Sequence, residues 1–196
     1  MKTLRIFLLP IATFVFSHST AQIQQGSWRV GGGASYTHAS FESDNSYSSV
    51  SLSPSVSYFP IDHLSIGLAF PFSASKGKTG TGEYSNSRYS VGPQVRYYFP
   101  FGKWAFFPEV IYSFGKTVSE NSGFSTGDPV LYKTETTFSA FRAGAGITYF
   151  LNDNVGVEGI IFYQNNEQEV INPFAVVSYE KSINLSLGFQ IYLNRK

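Results

Sequence analysis

The feature that most limits what this chain can fold into is an alternation of apolar and polar side chains with a period of two. Val50-Ser51-Leu52-Ser53-Pro54-Ser55-Val56-Ser57-Tyr58 puts Val50, Leu52, Val56 and Tyr58 on one face and four serines on the other. Successive side chains of a strand point to opposite sides of the pleat, so this rhythm means β-structure with two unlike faces. It returns in Leu64, Ile66, Leu68, Phe70 and Phe72, and in Tyr89, Val91, Val95, Tyr97 and Phe99. Trp104 to Phe114, Phe138 to Tyr149 and Val155 to Tyr163 repeat it. Ile183, Leu185, Leu187, Phe189, Ile191 and Leu193 close the series against Asn184, Ser186, Gly188, Gln190 and Tyr192. With Trp28, Val30, Ala34 and Tyr36 as the first, eight strands are expected.

Alternation alone leaves open whether the apolar face looks inward or into lipid. Composition decides. Charged residues make up 14% of the chain and aromatics 17%, against ~25% charged residues in an average soluble domain. The polar face is built of Ser, Gly, Ala, Gln and Asn with isolated charges, which suits a crowded interior better than a water-facing sheet. The apolar face keeps its aromatics near strand ends: Trp28, Tyr58, Tyr97, Phe99, Trp104 and Tyr149 at one level, Tyr36, Phe72, Tyr89, Phe114 and Tyr163 at the other. Two aromatic girdles around an apolar band mark a barrel that spans an outer membrane. The connections agree, alternating between tight turns (Pro60-Ile61-Asp62-His63, Pro100-Phe101-Gly102-Lys103, Leu151-Asn152-Asp153-Asn154) and long stretches at roughly 41 to 48, 76 to 86, 116 to 136 and 165 to 181. The long stretches carry much of the charge, including Lys76, Glu83, Lys116, Glu120, Lys133 and Glu167.

The expected fold is therefore all-β, an eight-stranded antiparallel up-and-down transmembrane β-barrel over residues 22–196. Residues 1–21 read as a signal peptide: Lys2 and Arg5 are followed by an apolar run from Ile6 to Phe16, and Ser19-Thr20-Ala21 offers small residues for cleavage. The remaining chain carries twelve basic and thirteen acidic residues, with both losses from the leader, Lys2 and Arg5. A charge that close to zero gives no footprint for nucleic acid. With no Cys, disulfides, thiol catalysis and zinc-thiolate sites are excluded.

On these residues the chain resembles the small eight-stranded outer-membrane barrels of Gram-negative bacteria, the OmpA-, OmpX- and OmpW-like group. The resemblance spans Gln22 to Lys196 and is carried by Ser90-Val91-Gly92-Pro93-Gln94-Val95-Arg96-Tyr97-Tyr98-Phe99 before a tight turn and by the closing Leu187-Gly188-Phe189-Gln190-Ile191-Tyr192-Leu193. It implies fold and location in the cell outer membrane, in contact with its lipid and lipopolysaccharide. The chain departs from the pattern in ending with Asn194-Arg195-Lys196 after Tyr192-Leu193. Pro54, Pro93 and Pro108 fall inside strands, where a missing ladder donor predicts bulges or shifted strand limits.

The inward face carries Arg96, Glu109, Arg142 and Glu158 on four consecutive strands, with alternating sign. A turn centred near residues 101 and 102 sets Arg96 opposite about Phe107 and makes Glu109 a diagonal neighbour. Glu158 should pair near Ile147, leaving Arg142 roughly 16 Å up the strand and out of its reach. Because side chains fill the interior of an eight-stranded barrel, mutual neutralisation of these charges is the expected role, and a charge gate in a pore is the functional alternative. A second candidate is His38, Ser40 and Glu42, which share a face at the loop end of the first strand; the His-x-Ser arrangement is similar to that of outer-membrane lipid A deacylases, and polar residues leaving the membrane zone account for it equally well. Gly31-Gly32-Gly33 opens a strand, where glycine relieves crowding. The leading reading is a monomeric, non-enzymatic barrel without cofactor, structural or contacting an unknown extracellular ligand through its loops. The alternatives are a narrow pore for small or apolar solutes and a lipid A-modifying hydrolase.

Overall fold

A computed structural model describes residues 23–41, 45–79, 82–125, 128–170 and 176–193. The expected leader, Glu42 and the Asn194-Arg195-Lys196 tail lie outside them. Ten strand segments follow in order: β1 (Trp28–Phe41), β2 (Asn45–Ile61), β3 (Leu64–Ala69), β4 (Phe72–Thr79), β5 (Gly82–Tyr97), β6 (Phe99–Phe101), β7 (Trp104–Ser125), β8 (Asp128–Phe150), β9 (Val155–Val170) and β10 (Val176–Leu193). They make eight spans, because β3 and β4 are one span broken at Phe70-Pro71 and β5 and β6 another broken at Tyr98.

All pairings are antiparallel, and β1 pairs with β10, so the sheet closes on itself. The closure has a measurable stagger. From Leu187 the paired residues run through Ala34, Leu52, Phe72, Tyr89, Lys116, Thr137 and Glu169, and return to β10 at Val177, ten positions from the start. Such a stagger over eight strands corresponds to a tilt of about 40° at ordinary rise and spacing. The protein is an eight-stranded antiparallel up-and-down barrel. Its outer face is the alternation set: Val30, Leu52, Leu68, Val91, Val110, Ile147 and Leu187 all stand exposed. At the turn end the outward aromatics meet, Trp28 with Tyr58 at 5.2 Å and Trp104 with Tyr149 at 4.6 Å between ring centroids.

The strands run further than the sequence pattern implies. The stretches read as long loops are largely strand, with β7 and β8 paired all the way from Trp104–Tyr149 to Ser125–Asp128. Beyond the membrane both faces meet water, so the apolar alternation fades although the backbone ladder continues. The prolines also behave differently from expectation. Pro108 sits opposite Ala145 in unbroken register, and the β5 and β7 pairing resumes on either side of Pro93 without a shift. At Pro54 the span across the ladder is interrupted instead of bulged: the N–H of Phe70 donates to Pro54 O at 2.8 Å, and that of Ser90 to Pro71 O at 2.9 Å. Each proline keeps its acceptor and lacks only its donor, so the ladder loses a bond without gaining a residue. The β2 and β3 ladder does shift, between Tyr58 and Ile61 beside the turn, where His63 takes a φ of 68°.

Candidate functional site

Inside the barrel, side chains form three layers. At the turn end Phe59, Tyr98, Phe107, Phe150 and Tyr192 pack with Ile23 into a buried apolar floor. Tyr98 lies 5.3 Å from Phe107, and Phe150 lies 5.3 Å from Tyr192, between ring centroids. Gly146 makes room for it, since a Cβ there would collide with the Phe107 ring. Alternation places Tyr98 inward but does not by itself disclose a floor. The signal is available in Tyr97-Tyr98-Phe99, Phe106-Phe107 and Tyr149-Phe150, because in a strand only one of two adjacent aromatics can face lipid.

Above the floor lies the charge layer, which joins all four candidate residues in one network. Arg96 and Glu109 are directly opposite one another on β5 and β7, with Arg96 Nε donating to Glu109 Oε2 at 2.5 Å. The diagonal relation expected from the turn is two residues off. The hairpin turns about Gly102-Lys103, with Phe101 paired to Trp104, and Gly102 adopts a φ of 62°. Glycine at the first central position of a two-residue loop is what a type II′ hairpin requires, so the turn centre is legible in Phe101-Gly102-Lys103-Trp104.

Arg96 also crosses the lumen. Its Nη1 and Nη2 donate to Glu158 Oε2 and Oε1 at 2.8 and 3.2 Å, a two-pronged contact between β5 and β9. Arg142 Nη2 stands 3.1 Å from Glu109 Oε1. Glu158 pairs with Thr148, one position from the expected Ile147, and Arg142 makes its ion pair with Glu109 and not with Glu158. Each guanidinium rests on a ring, Arg96 over Phe107 at 4.5 Å and Arg142 over Phe162 at 3.6 Å. Amides complete the acceptor sets: Gln94 Nε2 donates to Glu109 at 2.6 Å and Gln190 Nε2 to Glu158 at 2.7 Å.

Arg29 is a further member that sequence reasoning does not single out. It is fully buried and donates from Nη2 to Gln94 Oε1 at 2.6 Å and to Ser57 Oγ at 2.7 Å. Its position between the outward Trp28 and Val30 assigns it to the lumen by alternation. The layer therefore holds three guanidiniums and two carboxylates, one positive charge in excess. Arg96 serves both carboxylates, so its removal strands Glu158, a loss of about 3–5 kcal/mol.

The third layer is open space. A cavity of about 550 Å³ extends toward the loop end, walled by hydroxyls and amides such as Ser51, Ser73, Ser113 and Gln164, with Arg88 and Glu180 at its side. Between the cavity and the floor, a separate space bounded by Gln94, Arg96, Arg142 and Glu158 holds about 10 Å³. The polar lumen is thus a vestibule with one blind end.

Of the His38, Ser40 and Glu42 set, the structure describes the side chain of His38 alone. His38 Nδ1 is 2.9 Å from the hydroxyl of Ser48, its neighbour across the ladder, and Ser40 is paired with Ser46. Glu42 lies outside the described residues.

The model of a family described as outer membrane protein beta-barrel domain matches residues 7–192. The chain belongs to that family. No curated protein sequence matches it. Among solved structures it is similar to a major outer membrane protein from Thermus thermophilus (11% identity, 86% of this chain and 99% of that one, TM-score 0.56). It is also similar to the beta domain of the Bordetella autotransporter BrkA (13% identity, 85% and 70%, TM-score 0.52) and to Neisserial surface protein A (19% identity, 85% and 99%, TM-score 0.42). At these identities the likeness concerns the fold. Family and fold together place the protein in the cell outer membrane, among its lipids.

Proposed function

We propose that this family member, with residues 1–21 as its export signal, is a monomeric, non-enzymatic and non-conducting barrel whose role is exerted at the cell surface. The observation that carries this reading is the closed lower lumen. Six side chains of the floor and the Arg29, Arg96, Glu109, Arg142 and Glu158 layer fill the cross-section between the vestibule and the turn end. The charges then act as an internal lock in which both carboxylates are held by guanidiniums and one positive charge is left over.

Contact with a surface ligand or with lipopolysaccharide falls to the hairpins above the upper girdle. From Phe114 to Ser125, β7 continues for about 35 Å of strand. Tyr132 on β8 and Tyr179 on β10 stand largely exposed there, and tyrosine is a residue type enriched where proteins meet partners. A hydrolase has less support, because the hydroxyl placed on His38 Nδ1 is that of Ser48, its side-by-side neighbour across the ladder.

Planar bilayer recordings in concentrated KCl test the reading. The purified barrel should insert without discrete conductance steps. Steady ion-selective steps would refute it and favour the narrow pore.

A further inference from the structure

The ladder between β1 and β10 is short. It runs from Trp28–Leu193 to Ala34–Leu187 and ends there, whereas β1 stays paired with β2 to Phe41–Asn45 and β10 with β9 to Val176–Val170. Continued in the same register, Ser35 would face Ser186 and Thr37 would face Asn184. Both strands are present over this stretch, and among the described residues no ladder joins them.

This gap lies at membrane depth. Ile183 pairs with Tyr163 of the upper girdle, so Leu185 and Leu187 sit within the apolar band. Among the large apolar side chains of this strand Ile183 is the most exposed, at 79%, with Leu185, Leu187 and Phe189 at 67%, 66% and 65%, so the outward side chains of β10 have little protein beside them. A bare strand edge in hydrocarbon has no water to bond, which makes it costly unless a polar group reaches it. The vestibule meets the same seam. Its wall includes the lumen residues Ser35 and Asn184, one from each unpaired edge, and the backbone neighbours Tyr36, Ile183 and Leu185 on the same two strands, so the cavity borders the gap.

The polar side of the cavity has a sign. Arg88 and Arg142 line it against a single acid, Glu180, which is 3.7 Å from Arg88 Nη1. Arg142 Nε is buried without a hydrogen-bond partner among the described residues. Guanidiniums with free donors match the oxygens of a phosphate.

We infer that the vestibule opens sideways into the outer leaflet between β1 and β10 and binds a membrane lipid with an anionic headgroup. The headgroup lies in the cavity near Arg88 and Arg142, the linker passes the bare edges at Ser35 and Asn184, and the acyl chains remain in the bilayer against Ile183 and Leu185. This goes beyond a closed, surface-acting barrel, since the floor plays no part in it. Conductance and lipid binding are read by separate experiments.

The test is native mass spectrometry of the full barrel in detergent, with phosphatidylglycerol or phosphatidylcholine added. Wild type should retain one phosphatidylglycerol in preference to phosphatidylcholine by about tenfold, and Arg88→Gln should abolish most of that preference. The chain has no Cys, so Ser35→Cys with Ser186→Cys introduces a single possible disulfide across the seam. The oxidised variant should lose the lipid and the same sample, reduced, should recover it. Equal retention of the two lipids, or undiminished binding by the oxidised barrel, would overturn the inference. So would a peptide adduct or a dimer mass appearing in place of the lipid, which would make the seam a strand-docking edge.

Discussion

Arg96 binds two buried carboxylates, and this arrangement makes the sign of one mutational effect unusual. In Arg96→Met, Glu158 loses both of its guanidinium bonds and keeps only Gln190 at 2.7 Å, while Glu109 keeps Arg142 at 3.1 Å and Gln94 at 2.6 Å. Stranding Glu158 should cost about 3–5 kcal/mol, and weakening Glu109 about 1 more, for a total of roughly 4–6 kcal/mol. Glu158→Gln alone removes a charge but leaves Arg96 on Glu109, and should cost about 2 kcal/mol. In the double variant no carboxylate is stranded, so adding Glu158→Gln to Arg96→Met should restore about 2 kcal/mol instead of removing it. Urea titration of folding into lipid vesicles, read by the fluorescence of Trp28 and Trp104 and by gel mobility, measures all four corners of the cycle. Additive losses would refute the network as described.

The faces of the wall respond oppositely to charge. Leu187→Arg on the lipid side should cost about 2–4 kcal/mol in the same titration, and Ser186→Lys beside the vestibule considerably less; equal losses would contradict the face assignment. The floor tolerates no added volume at Gly146, where the Phe107 ring lies against the backbone. Gly146→Val should lower stability by about 1–3 kcal/mol, with wild-type-like stability counting against a packed floor.

What the sequence discloses, and what it withholds, follows from the range of each signal. Period-two alternation is local, so the eight spans and the lipid-facing sides of Leu52, Val91 and Leu187 can be read residue by residue. The alternation also assigns Arg96, Glu109, Arg142 and Glu158 to the lumen. It cannot show that Arg96 reaches Glu158, because that contact crosses the lumen between strands that are not neighbours and depends on the stagger of the whole ring. The Arg96 and Glu109 register is recoverable, since Gly102 marks the turn centre, but a turn centred near residues 101 and 102 is one residue early and moves the pairing by two. Arg29 escapes notice because the glycines that follow it interrupt the pattern on its strand. The extension of β7 and β8 past the membrane leaves no periodic trace, since neither face there is apolar. The early end of the β1 and β10 ladder at Ala34–Leu187 is invisible in sequence, because Tyr36 on one strand and Ile183 and Leu185 on the other keep the outward apolar positions of a paired strand.

The central claim is a vestibule open at the loop end and sealed toward the turns, and two-sided labelling tests it most directly. With no native Cys in the chain, Ser51→Cys places a single thiol in the cavity wall and Lys103→Cys a control at the exposed turn. In oriented vesicles a membrane-impermeant maleimide should modify position 51 only from the loop side and position 103 only from the turn side. Modification of position 51 from the turn side would mean that the floor and the charge layer leave a through-path, and would contradict the account.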